Sequence, residues 1–184
     1  MAVAIGGSAG SFETLLRLLP HLPKDYGLAV IVVLHQHRDG GGELAEALAA
    51  HCEIPVLPAC DKDPIEPGIV YVCPANYHIL VEGERTFALS TDPPVHFARP
   101  SIDVFFESAA RVYRDRLVGV LLSGTGSDGA LGLVSIKLRG GVVACEDPEM
   151  ASQSAMPRAG CEATNVDWVG SAEVIGMRLA GLDA

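Results

Sequence analysis

Three features of the sequence predict an α/β fold built on a mostly parallel sheet. Short apolar runs of strand length alternate with amphipathic stretches of helical spacing. The run at 28–34, LAVIVVL, is apolar throughout, as expected of a strand covered by helices on both faces. The opening apolar run at 3–5 passes directly into the glycine turn GGSAG, the signature of a strand feeding a helix.

The first strand is predicted at 3–5, and a helix follows from Ser11, with Phe12, Leu15, Leu16 and Leu19 at helical spacing until Pro20 stops it. The second strand ends at His35-Gln36-His37, before a loop at 38–42 and a helix at 43–51. Shorter runs at 55–57, 69–73, 78–81 and 86–89 are separated by turn residues. The last two flank Glu82-Gly83-Glu84 and read as an antiparallel hairpin inserted in the parallel scheme. After a loop at 91–100, Ser101 caps a helix whose first turn carries Asp103, complementing the helix dipole. A buried strand at 117–122, the loop SGTGSDG and a helix through Leu138 come next. Strands at 142–145 and 166–169 and a terminal helix from Ser171 to about Leu179 complete the chain. Repeats, low-complexity tracts and linkers are absent from the sequence, which reads as one domain of 184 residues.

Hydrophobic residues make up 49%, enough for a core without disulfides or metal clips. The five cysteines (52, 60, 73, 145 and 161) are odd in number and never fall in a Cys-x-x-Cys spacing. Reduced, mostly buried thiols are therefore expected, rather than a disulfide framework or a cysteine zinc site. A net charge of −10 disfavours nucleic-acid binding. No apolar stretch is long enough to span a bilayer, and the N-terminus lacks a signal-peptide pattern, so a soluble, cytoplasmic protein is expected.

Gly6-x-Ser8-x-Gly10 fits the nucleophile-elbow pattern and sits between a strand and a helix, where that pattern belongs. Such a turn projects a serine hydroxyl above the sheet edge, with the helix N-terminus behind it for a developing oxyanion. A glycine turn that only caps a helix or cradles a phosphate remains the alternative; the dinucleotide register G-x-G-x-x-G is not met. His35 and Asp128 also follow predicted buried strands, and carboxyl strand ends of an open parallel sheet share one crevice. A hydroxyl, an imidazole and a carboxylate gathered there can act as nucleophile, base and orienting acid.

His37 competes with His35 as the base, and His35-x-His37 hints at a metal pair, but no third ligand cluster accompanies it, so no metal or cofactor is expected. Arg99, just before the helix at Ser101, could either reach the crevice or serve in a cap with a surface salt bridge. Met156-Pro157-Arg158 either lines a substrate channel or begins a helix with proline in its first turn.

Five motifs in order give the chain a family resemblance: AIGGSAGS around Ser8, VVLHQH around His35, HFARPSIDVFF at 96–106, LSGTGSDGALG around Asp128 and SAMPRAG at 154–160. Along essentially its whole length the sequence resembles the catalytic domain of the bacterial chemotaxis protein-glutamate methylesterases (CheB-type). The resemblance implies a doubly wound, mostly parallel sheet of about seven strands, flanked by helices, with the inserted hairpin. It also implies the triad Ser8, His35 and Asp128, in a chain order unlike that of the α/β-hydrolases. The implied reaction is hydrolysis of γ-glutamyl methyl esters on chemoreceptor signalling helices, with methanol released; many relatives also deamidate receptor glutamines. Backbone N–H groups near Ala9 and Thr125 are the expected oxyanion donors, with Arg99 and Met156 as further candidate substrate contacts.

Relatives often carry Thr after the serine and Met where Thr125 stands, so this chain departs from the pattern at Ala9 and Thr125. The receiver domain of typical members is expected to be absent from residues 1–184. An excised domain, for instance from a fusion with a methyltransferase, and a stand-alone form regulated otherwise both stay open. So do two other functions: a serine esterase for a different methyl ester, and a non-catalytic sensory module that binds a partner helix or an anionic ligand.

Overall fold

A computed structural model describes residues 1–35 and 43–183. In chain order the elements are β1 (Ala2–Gly7), α1 (Ser11–Leu18), β2 (Ala29–Leu34), α2 (Glu43–Ala49), β3 (Val56–Pro58), β4 (Val70–Val72), β5 (His78–Val81) and β6 (Phe87–Ser90). They continue with α3 (Ile102–Tyr113), β7 (Leu117–Leu121), α4 (Ala130–Leu138), β8 (Val142–Glu146), α5 (Ala155–Ala163), β9 (Trp168–Gly170) and α6 (Ala172–Ala180).

Seven strands form one parallel sheet in the order β3-β4-β2-β1-β7-β8-β9, while β5 and β6 pair antiparallel as a separate hairpin. The doubly wound scheme follows from alternation along β1, which is buried from end to end. Val3 and Ile5 join Leu15 and Leu18 of α1, Leu48 of α2, and Ile175 and Leu179 of α6 in one core. Ala2 and Ala4 face the other core, built by Phe105 and Phe106 of α3, Leu133 and Ile136 of α4, Met156 of α5, and the hairpin residues Ile79 and Phe87.

The chain enters at the centre of the sheet, builds outward through β2, and later returns to lay β7 on the opposite side of β1. Helix α1 after β1 and helix α4 after β7 cover opposite faces. The carboxyl ends of β1 and β7 therefore form a topological switch point, where α/β proteins open their crevice.

The proline at 157 lies in the first turn of α5, so Met156-Pro157-Arg158 belongs to a helix start. Strand β9 starts two residues later than the apolar run suggested, its register with β8 running over Trp168–Gly170, while Asp167 just before it donates its N–H to the Val143 carbonyl of β8 at 2.9 Å. No disulfide joins the five cysteines; Cys73 and Cys145 are buried, Cys52 and Cys161 half-buried, and Cys60 is exposed. Among the described residues no helix is long and apolar enough to cross a membrane.

Candidate active site

Register alone brings two of the three expected residues together. Gly7 pairs with Leu34, and the His35 N–H extends that ladder by donating to the Gly7 carbonyl at 3.1 Å. Ser8 and His35 thus leave adjacent strand ends, which lie roughly 4.8 Å apart in a sheet. On its other side Ser8 meets the loop after β7: its N–H donates to the Ser123 carbonyl at 2.9 Å and also lies 3.1 Å from Ser11 Oγ. Gly10, at φ 85°, provides the left-handed turn into α1 that a side chain would resist. Gly124 is needed for a different reason: a Cβ there would lie 2.9 Å from Ser8 Cβ and 2.6 Å from Met156 Sδ. Met156 itself is fully buried and forms the floor beneath this loop, its N–H donating to the Gly124 carbonyl.

Asp128 completes the cluster from the loop between β7 and α4. Its Oδ2 lies 2.8 Å from His35 Nε2, which donates to it, and the imidazole is half-buried. Both carboxylate oxygens also receive donors from the start of α3: Ile102 N–H at 2.7 Å, Ser101 Oγ at 2.9 Å and Asp103 N–H at 3.0 Å. Burial pushes the Asp128 carboxyl up, but these hydrogen bonds, led by that from His35, outweigh it and hold the group below its ordinary range. The positive end of α3 favours the same anion. Asp128 thus pairs with the Nε2 side of the His35 ring, whereas the carboxylate of a serine-protease triad pairs with Nδ1.

Asp103 sits in the first turn of α3, where the sequence placed it, but its side-chain hydrogen bonds go to a neighbouring helix. Its Oδ1 accepts from the N–H groups of Gly129 (2.9 Å) and Gly132 (2.6 Å), so it caps α4. Each helix therefore contributes to the carboxylate cap of the other, Asp128 serving α3 and Asp103 serving α4. Burial raises the Asp103 carboxyl above its ordinary value, and the nearby Asp128 charge adds to this, against the two amide bonds and the charge of His96. Ser101 is held in turn by buried His78, whose Nδ1 accepts the Ser101 N–H at 3.2 Å.

Glu146, fully buried at the end of β8, went unremarked in the sequence, although a carboxylate closing an apolar strand is a visible signal. Its Oε2 accepts the Ser123 N–H at 2.8 Å, and Thr14 Oγ1 donates to it from α1. Ser123 Oγ in turn donates to the Ala9 carbonyl at 2.8 Å. A polar chain thus runs from Glu146 to the backbone that carries Ser8. Burial raises the Glu146 carboxyl, while the bonds from Ser123 and Thr14 pull the other way.

The other candidates fall around this cluster. The backbone N–H groups of Ala9 and Thr125 have no partner among the described residues. Arg99 donates to Asn76 Oδ1 (2.7 Å) and to the carbonyls of Thr91 (2.7 Å) and Asp92 (3.0 Å), neutral acceptors rather than the surface salt bridge that was one of its two readings. It lines a recess of about 180 Å³ that also reaches His35, Asn76 and Phe97. A second recess of about 400 Å³ runs from His35 along Thr125 to Asp128. His37 lies outside the described residues.

A family model described as CheB methylesterase matches residues 3–179. A relative from Leptospira interrogans is 44% identical over 182 residues, covering 99% of this chain and 94% of its own. Relatives from Symbiobacterium thermophilum (41% identical) and Pseudomonas aeruginosa (38%) are named protein-glutamate methylesterase/protein-glutamine glutaminase, the latter with the number 3. The matches cover 85% and 97% of this chain, but only 43% and 53% of those proteins. The crystal structure of the Thermotoga maritima CheB methylesterase catalytic domain superposes with a TM-score of 0.95 at 31% identity, covering 98% of this chain and 97% of that one.

Proposed function

Because the chain belongs to the CheB methylesterase family, we propose that it hydrolyses γ-glutamyl methyl esters on the signalling helices of chemoreceptors, with Ser8, His35 and Asp128 as the catalytic triad. The observation that carries the reading is the 2.8 Å pairing of His35 with Asp128 at the strand end next to Ser8.

Ser8 Oγ attacks the ester carbonyl while His35 Nδ1 takes the hydroxyl proton. Asp128 stabilises the imidazolium that forms and fixes the ring's orientation through Nε2. The Ala9 and Thr125 N–H groups donate to the oxyanion, aided by the N-terminus of α1. Collapse of the tetrahedral adduct breaks the bond to the methoxy oxygen, His35 protonates that oxygen, and methanol leaves an acyl-Ser8 ester. Water, deprotonated by His35, then attacks the acyl carbon and restores the serine with a free glutamate. A γ-amide substrate follows the same path with ammonia as the leaving group, in keeping with the glutaminase activity in the relatives' names.

This work belongs in the cytoplasm, where receptor signalling helices lie. Residues 1–184 act as one catalytic domain, and a receiver domain or a methyltransferase is the partner to look for within a larger polypeptide. The test is methanol release from a methylated receptor fragment, with intact-mass labelling by a serine-directed phosphonate. Ser8→Ala abolishes both, and His35→Ala slows labelling severely. Esterolysis that persists in Ser8→Ala would overturn the assignment.

A further inference from the structure

Residues 95–98 form a two-residue β-turn on the rim of the site. The Val95 and Ala98 backbones exchange hydrogen bonds at 2.9 and 3.1 Å, and the central His96 and Phe97 both have positive φ, 50° and 62°. Such turns are normally built from Asn and Gly, so two larger residues in succession here carry a conformational cost. The turn is nevertheless firmly held. His96 Nε2 lies 3.6 Å from Asp103 Oδ2, and the adjoining Arg99 is tied to Asn76, Thr91 and Asp92. What this braced turn displays is the ring of Phe97, which is fully exposed.

The ring stands on the ridge between the two recesses that meet at His35, since Phe97 and Ala98 line both. A glutamyl ester side chain can enter a recess of 180–400 Å³. The helix that bears it cannot, being roughly 10–12 Å across with its side chains. That helix must rest on the rim, where, among the described residues, the exposed ring of Phe97 offers it a large apolar group. A rigid aromatic with few torsions to freeze is well suited to such an anchor.

We infer that Phe97 is a specificity-determining residue that packs against the substrate helix while the ester enters beside His35; this rests on the methylesterase reading above. Its removal should therefore affect protein substrate and small ester unequally. The experiment compares kcat and KM of the wild type, Ser8→Ala, Phe97→Ala and Phe97→Trp on a methylated chemoreceptor fragment and on N-acetylglutamate γ-methyl ester. In Phe97→Ala, kcat/KM on the receptor falls about tenfold further than on the small ester, mainly through KM, and Phe97→Trp recovers most of it. Equal losses on both substrates, or no loss on the receptor, overturn the inference and leave the methylesterase reading standing. A wild type that cleaves the small ester but never the receptor overturns both.

Discussion

At the scale of single residues, the Asp128 carboxylate is set by the donors aimed at it, from His35 and from the start of α3. In Asp128→Asn the amide can no longer stabilise the imidazolium or fix its proton, and kcat should fall by on the order of 10⁴ with the fold retained, read by steady-state kinetics. The Asp128 carboxyl is held below its ordinary 3.8, so its stabilising contribution is complete above that value and is lost as pH falls through the lower, folded-state value. Glu146 has the opposite sign. Its carboxyl is raised above 4.5, so the native state holds that proton longer than the unfolded chain, and stability falls as pH rises from there towards the folded-state value. The urea midpoint of Glu146→Gln should therefore gain on the wild type across that rise; a pH-independent difference would contradict the account. Ser8, His35 and Asp128 could be singled out as candidates from the sequence because each follows a predicted buried strand. The bonds that Glu146 and Ser101 make to Ser123 and to Asp128 could not, because they depend on which strand end and which loop these residues meet across the sheet.

At the scale of elements, the loop after β7 is shaped by Gly124. Gly124→Ala would drive a methyl group into Met156 Sδ and Ser8 Cβ, costing about 1–3 kcal/mol of stability and displacing Ser8. Thermal melts paired with ester turnover check this, and turnover should suffer more than the melting temperature implies. Asp103→Ala removes both acceptor bonds at the start of α4, a cap worth about 1 kcal/mol, and kcat should drop as well because the loop holding Asp128 loses its anchor. The helix boundaries were largely readable from apolar spacing and from caps such as Ser101 and Ser171. The destination of Asp103 was not. A carboxylate in a first turn satisfies its own helix dipole on paper, and only the packing of α3 on α4 shows that it bonds elsewhere. The turn at 95–98 is not legible for a related reason: His-Phe lacks the Asn and Gly that mark such two-residue turns in a sequence.

At the scale of the molecule, the continuous apolar runs and the glycine turn anticipated the parallel sheet, its inserted hairpin and its two covered faces. Strand order was not written in any single run. It emerges from the return of β7 to the far side of β1, and that return places the loops after β1 and β7 side by side at the switch point.

The crossed capping of α3 and α4 makes the Asp128 carboxylate a fastening of the scaffold. Asp128 stays aligned only while the two helices remain docked, α3 being secured by Asp128 from the loop before α4 and α4 by Asp103 from the first turn of α3. Parting that seam by mild heat or denaturant would extinguish turnover while the central strands remain intact. Inactivation should then precede the loss of β-sheet amide protection in hydrogen exchange.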